Sequence, residues 1–262
     1  MEEATPPDTP EAAVILPEAL KRDIFSWTDR FWSLVPSARE HGLPMRRGLL
    51  LIGDPGTGKT QLIRHLLSRY PAVPAHLFVA QQRTSGDPFG CMLSVLRRTR
   101  GGAIVVLEDI DRLADSGAIT TEYLLNCLDG LLEIKGPVLW VATANDPTRL
   151  ESNLLRRPGR FDRTVVIPLP DAEGRRRLVQ QFATLPLAEA EVAHAVMASD
   201  HLTGAHLRQA LASATLAVCD GAGSFGQELL DEIQKLRREL EQVSRFEEEL
   251  GRHAQAGFGA GG

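Results

Sequence analysis

One eight-residue stretch, Gly53-Asp54-Pro55-Gly56-Thr57-Gly58-Lys59-Thr60, constrains this chain more than any other. It fits the pattern G-x-x-x-x-G-K-[ST], and its context fits as well: the apolar run 49–52 leads in as a strand, and 61–67 leaves as a helix. The glycines let backbone N–H groups turn inward around phosphate oxygens. The start of the following helix, reaching Gln61, adds partial positive charge. Lys59 is placed to reach the β- and γ-phosphates, and the Thr60 hydroxyl to ligate Mg²⁺.

The rest of the chain supplies a scaffold for such a loop. Apolar runs at 48–52, 77–80, 103–107, 138–142 and 164–167 alternate with helical patterns. Runs this apolar suit strands buried on both faces, and the alternation implies a parallel sheet. The expected fold class is α/β: a three-layer P-loop NTPase core over 14–170. Before its first strand, Ala19, Ile24, Trp27, Phe31 and Leu34 recur at helical spacing, predicting a helix over 17–34. After Pro168 and Pro170 no strand-like run remains. Helices are expected at 172–184, 188–198 and 204–219, forming a small all-α segment over 171–220. A Gly-rich linker at 221–226 precedes a C-terminal helix over 227–250. Leu229, Ile233, Leu236, Leu240, Val243 and Leu250 fit a heptad there, broken by Glu247. Internal packing and pairing with a partner are both open for that helix. Residues 1–13 and 251–262 read as disordered or flexible tails.

A second chemical feature closes the run 104–107: Glu108-Asp109, followed by Ile110-Asp111. A buried strand ending in two carboxylates beside a phosphate loop suggests two roles, one completing Mg²⁺ binding and one orienting or deprotonating the attacking water. The register assigns Glu108 to the metal and Asp109 to the water. Asp111 reads as a solvated acidic turn.

Taken together, these motifs resemble the AAA-type members of the AAA+ ATPases over roughly 14–220. Leu124-Leu125-Asn126-Cys127-Leu128-Asp129-Gly130 is similar to the family's helix after the acidic strand, and Thr143-Ala144-Asn145 to its sensor 1 stretch. Leu154-Leu155-Arg156-Arg157-Pro158-Gly159-Arg160-Phe161-Asp162-Arg163 is similar to its second region of homology. The resemblance implies ATP and Mg²⁺ as cofactors and ATP hydrolysis as the activity. It implies that Asn145 positions the water, and that Arg157 and Arg160 reach into a neighbouring subunit's site as arginine fingers. Arg156 and Arg163 are expected in structural ion pairs. The helical segment resembles the family's lid, with Gly204 and Ala205 near the adenine and Ile15 and Leu16 on its other side. His206 belongs to the same stretch, and Arg208 is either a sensor arginine or a surface residue. The implied assembly is a homo-oligomeric ring, a hexamer by family analogy, acting on a protein partner.

Two departures qualify that picture. Most AAA proteins read Asp-Glu where this chain reads Glu108-Asp109, an order similar to the mitochondrial respiratory-complex assembly ATPases and their bacterial relatives. Phe89-Gly90 is the one candidate for a substrate-gripping aromatic loop, against the alternative that Phe89 is buried at a helix start. A slow-hydrolysing assembly switch therefore stands beside the remodelling enzyme. A net charge of −5 and a pI near 5.8 argue against nucleic acid as the main partner. Cys91, Cys127 and Cys219 are odd in number and far apart, which suggests reduced thiols in a cytoplasmic protein. His194, His201 and His206 are spaced poorly for a metal site. No run reaches the ~20 apolar residues that would span a bilayer.

Overall fold

The structure, a computed structural model, describes residues 14–43, 45–79, 88–112, 134, 136–150 and 161–258. The expected terminal tail 1–13, the stretch 124–130 with Cys127, and Arg156, Arg157 and Arg160 lie outside those residues, as does the side chain of Phe89. The chain divides into two units, Met1–Pro168 and Leu169–Gly262.

In the first unit, Arg46–Ile52 (β1), Ala75–Val79 (β2), Ala103–Glu108 (β3), Val138–Ala144 (β4) and Arg163–Val166 (β5) form one sheet. Its order is β2-β3-β4-β1-β5, and every pairing is parallel. Leu49, Leu50 and Leu51 are wholly buried, as are residues 104–107. Successive side chains alternate between two apolar clusters. Leu50, Ile52, Val105, Leu107, Trp140 and Ala142 face one; Leu49, Leu51, Ile104, Val106, Leu139 and Val141 face the other. Helix α1 (Glu18–Glu40) and helix α2 (Lys59–Arg69) supply Ile24, Phe25, Phe31, Leu62 and Leu66 to the second cluster. Helix α3 (Pro88–Arg98) supplies Met92, Leu93 and Leu96 to the first. A strand buried on both faces must be apolar at every position, which is why these runs lack polar alternation. Each fully buried Leu contributes about 1.5–3 kcal/mol by leaving water.

Helix α1 differs from expectation. It continues to Glu40 through Pro36, which is exposed and removes one i to i−4 bond. Its buried stripe is Lys21, Ile24, Phe25, Thr28, Phe31, Val35 and Ala38, whereas Ala19 and Leu34 face solvent. Burial of Val35 and Ala38 beyond the proline carries the helix further than its backbone propensity suggests. Asp29 accepts hydrogen bonds from Arg69 at 2.7 Å and from Tyr70, and Arg163 pairs with Asp23, so α1 is fastened to the core from both sides.

The second unit contains α4 (Ala172–Phe182), α5 (Glu189–Ala198), α6 (Gly204–Cys219) and α7 (Phe225–Phe258). Asp171 caps α4 by accepting from the Gly174 N–H at 2.7 Å. Thr203 caps α6, its hydroxyl accepting from the His206 N–H at 3.3 Å. The Gly-rich break is shorter than expected, because Phe225 and Gly226 are already helical, and α7 runs on past 250 to Phe258. Gly226 sits so close to α5 that a Cβ there would lie 2.1 Å from Glu191 Oε1. Leu229, Ile233 and Leu236 are buried within the unit. Further on, Val243 and Phe246 are exposed by 54% and 62%.

Candidate nucleotide-binding site

The candidate residues of the first unit gather at the carboxyl ends of β1, β3 and β4, where open α/β sheets place their ligand sites. The loop leaves β1 as soon as sheet pairing ends. The Gly53 N–H still donates to the Ala144 carbonyl at 3.2 Å, and the Ile167 N–H to the Ile52 carbonyl at 2.7 Å. A Cβ on Gly53 would meet the Ile167 carbonyl oxygen at 2.5 Å, so only glycine fits. Gly56 and Gly58 have φ of 82° and 101°, left-handed values that glycine adopts without strain. Gly58 is the N-cap of α2 and offers no side chain, which leaves the first amides of the helix without a capping oxygen. The Thr57 hydroxyl turns back to the Asp54 carbonyl at 2.8 Å. Asp54, Pro55, Gly56, Thr60 and Gln61 are exposed around this cradle.

Lys59 is 6% exposed. Its ammonium donates to the Gly53 carbonyl, to the Asp54 carbonyl at 3.0 Å and to Asn145 Oδ1 at 2.8 Å, which accounts for all three donors. Burial pulls its pKa below the ordinary lysine range, while the charges of Asp109, Asp54 and Asp111 push the other way. Asn145 also donates from Nδ2 to Asp109 Oδ1 at 2.9 Å. One amide therefore bridges the loop lysine and the Asp109 carboxylate. The amide orientation follows the chemistry of its neighbours, a donor on one side and an acceptor on the other.

Asp109 has φ of 53°, unusual for any residue but glycine. Such a conformation costs on the order of 1–3 kcal/mol and persists only where the surroundings fix it. Here its N–H donates to Thr143 Oγ1 at 2.9 Å, and Thr143 is buried. The β3–β4 ladder stops at Leu107 and Ala142, while Glu108 stays in register with Val79 on the other side. Glu108 is half-buried at that strand end.

Asp111 corrects the reading of a solvated turn: it is 3% exposed. Its Oδ2 accepts the N–H groups of Asn145 at 3.1 Å and Asp146 at 3.0 Å. Sequence reasoning read Asp111 as a turn residue and gave Thr143 no role of its own. A polar residue three positions beyond the strand-ending Glu108 was the available signal, but its partners are 34 and 35 residues away. Arg163 stacks near Trp27 as well as pairing with Asp23. Ile15 is half-buried, and Leu16 joins the core cluster of α1 and α2.

In the second unit Gly204 begins α6, Ala205 is exposed, and the Arg208 guanidinium lies 5.5 Å from the centre of the Phe182 ring. His206 Nδ1 accepts from the Thr203 N–H at 3.2 Å, and burial lowers its pKa. Among the described residues no group of three or more His, Cys, Asp or Glu is arranged to hold a metal. Among them, too, no helix is long and apolar enough to cross a membrane.

Comparison with known proteins agrees with the geometry. Residues 49–169 match the sequence model of the "ATPase family associated with various cellular activities (AAA)". The proteasome-activating nucleotidase of Methanothermobacter thermautotrophicus is 34% identical over 202 residues, 70% of this chain and 47% of that protein. The ATP-dependent zinc metalloprotease FtsH 3 of Sorangium cellulosum is 32% identical over 252 residues, covering 86% and 40%. The cell division cycle protein 48 homolog of Archaeoglobus fulgidus is 31% identical over 161 residues, covering 56% and 22%. The chain thus spans less than half the length of each of these relatives.

Proposed function

Because this chain belongs to the AAA family of ATPases, we propose that it binds ATP with Mg²⁺ at the 53–60 loop and hydrolyses it as an oligomer. The observation that carries this reading is the chain Lys59–Asn145–Asp109. It ties the phosphate-facing lysine to the group that handles the water. The glycine cradle, with no room for a Cβ at Gly53, and the uncapped start of α2 fit a bound triphosphate.

Thr60 and Glu108 would hold Mg²⁺, which when bound neutralises phosphate charge and orients the γ-phosphoryl group. Lys59 would exchange its internal carbonyl partners for phosphate oxygens. Asn145 and Asp109 would orient a water in line with the γ-phosphorus. The water oxygen–phosphorus bond forms, the bond to the bridging oxygen breaks, and the water proton passes to Asp109, giving ADP and inorganic phosphate. Arg157 and Arg160 of a neighbouring subunit would neutralise the charge that develops. In the second unit Gly204 and Ala205 would contact the adenine.

Turnover would be coupled to remodelling a protein partner in a hexameric ring, a reading that rests on family analogy and on the names of the relatives. One observation favours a slower assembly switch as the second reading. Asp109 is a methylene shorter than glutamate and is already bonded to Asn145 in a left-handed conformation. The exposed Val243 and Phe246 of α7 would then serve a partner.

Steady-state ATPase measured against protein concentration, with and without Arg160→Ala, tests both. A ring enzyme shows specific activity that rises with concentration and collapses by about 10³-fold or more in the variant. A switch assembles with ATP but turns over little in either protein. No nucleotide uptake by the wild type rejects both.

A further inference from the structure

We infer that Asp111 is a positioning residue for hydrolysis, holding Asn145 through its main chain so that the amide stands between Lys59 and Asp109. This rests on the functional reading above. Beyond Ala144 the β4 backbone pairs with no strand among the described residues: its ladder to β1 ends at Ile52–Ala144 and its ladder to β3 at Leu107–Ala142. The next two N–H groups, of Asn145 and Asp146, both converge on Asp111 Oδ2, at 3.1 and 3.0 Å. Two amides on one carboxylate oxygen define a direction as well as a distance. The brace runs the opposite way too, because the Asp109 N–H donates to Thr143 Oγ1 at 2.9 Å. Each strand end is thus held by a side chain of the other, and the 2.9 Å Asn145–Asp109 contact lies between the two anchors.

Burial holds this brace in one geometry. Asp111 is buried, and among the described residues its Oδ1 has no hydrogen-bond partner. The carboxylate adds negative charge near Lys59, where Asp111 acts together with Asp109 and Asp54. A displacement of Asn145 by about 1 Å is enough to lower a rate by about 100-fold while binding determinants elsewhere are untouched.

The test uses Asp111→Ala and Asp111→Asn in the full chain, with three measurements. In nucleotide-free protein, amide hydrogen exchange is followed at Asn145 and Asp146. ADP affinity is measured by equilibrium titration, and hydrolysis by single-turnover phosphate release. In Asp111→Ala, the two amides should lose protection while residues 104–107 keep theirs. ADP affinity should stay within about twofold, and hydrolysis should fall by about 100-fold. Asp111→Asn, which keeps an acceptor, should restore protection and most of the rate. The inference is overturned if Asp111→Ala exposes both amides yet hydrolyses like the wild type. It is also overturned if ADP affinity and sheet-wide protection collapse together in both variants, since Asp111 would then only hold the fold. A wild type that binds nucleotide but does not hydrolyse it defeats the functional reading instead, and is recognised before either variant is compared.

Discussion

Replacing Asn145 with alanine removes both bonds that join the phosphate loop to the acidic strand end, at 2.8 Å to Lys59 and 2.9 Å to Asp109. Each involves a charged group, and such bonds contribute about 1.5–3 kcal/mol where water is excluded. Asn145 is half-buried, so water can replace part of each, and the net loss should be about 2 kcal/mol in the nucleotide-free protein. For a unit the size of Met1–Pro168, each kcal/mol moves the unfolding midpoint by about 2–4 °C, giving an expected fall of about 4–8 °C. The rate should respond more strongly. A positioned donor at a reacting group is worth about 10²–10³ in kcat, so single-turnover hydrolysis should fall by that factor. Scanning fluorimetry without nucleotide and a single-turnover phosphate assay read the two effects. Asn145→Asp is the control: it keeps an acceptor for Lys59 but sets a second negative charge against Asp109. Attraction and repulsion over nearly equal distances offset each other, so stability should change little while hydrolysis is lost. An alanine variant that melts like the wild type and hydrolyses at the same rate would refute the bridging role of Asn145.

Other expectations follow from single contacts. Gly53→Ala forces a Cβ to 2.5 Å from the Ile167 carbonyl; urea unfolding should show a loss of about 1–3 kcal/mol, and nucleotide affinity should drop with it. Ile233→Ala, at a wholly buried position of α7, should cost about 2–5 kcal/mol, whereas the double change Val243→Ser and Phe246→Ser should stay within about 0.5 kcal/mol per site in the monomer. His206 has a pKa below its ordinary 6.5 because burial disfavours the charged ring. The unfolded chain therefore binds the proton more readily, so the contribution is present above that ordinary value and is lost as pH falls through the folded one. Chemical denaturation from pH 7.5 down to pH 5 should show this decline, and His206→Gln should flatten it.

The strands were legible because a fully buried parallel strand leaves a short, uniformly apolar run, as at residues 104–107 and 138–142. The phosphate loop was legible because its glycines are demanded by backbone geometry at Gly53, Gly56 and Gly58. What stayed hidden depends on contacts distant in sequence. Asp111 resembles a surface acid until β4 ends beside it and presents two amides without strand partners. Thr143 looks like one more strand residue until Asp109 turns left-handed and needs an acceptor. In α1, spacing alone favoured Ala19 and Leu34. The buried face instead follows the packing of Phe25 and Thr28 against α2 and Tyr70. For α7, the heptad pattern did not distinguish a helix packed in its own unit from one seeking a partner; in the structure Leu229, Ile233 and Leu236 are buried, while Val243 and Phe246 are exposed.

The central claim is that Lys59 and Asp109 serve one ATP, the first by binding it and the second by activating water against it. Radiolabelled ATP with Mg²⁺, followed through binding and a single turnover in the wild type and Asp109→Asn, tests it most directly. The account predicts that both proteins take up ATP, and that the variant retains it uncleaved while the wild type releases phosphate. Equal phosphate release from the two, or no uptake by the wild type, would contradict it.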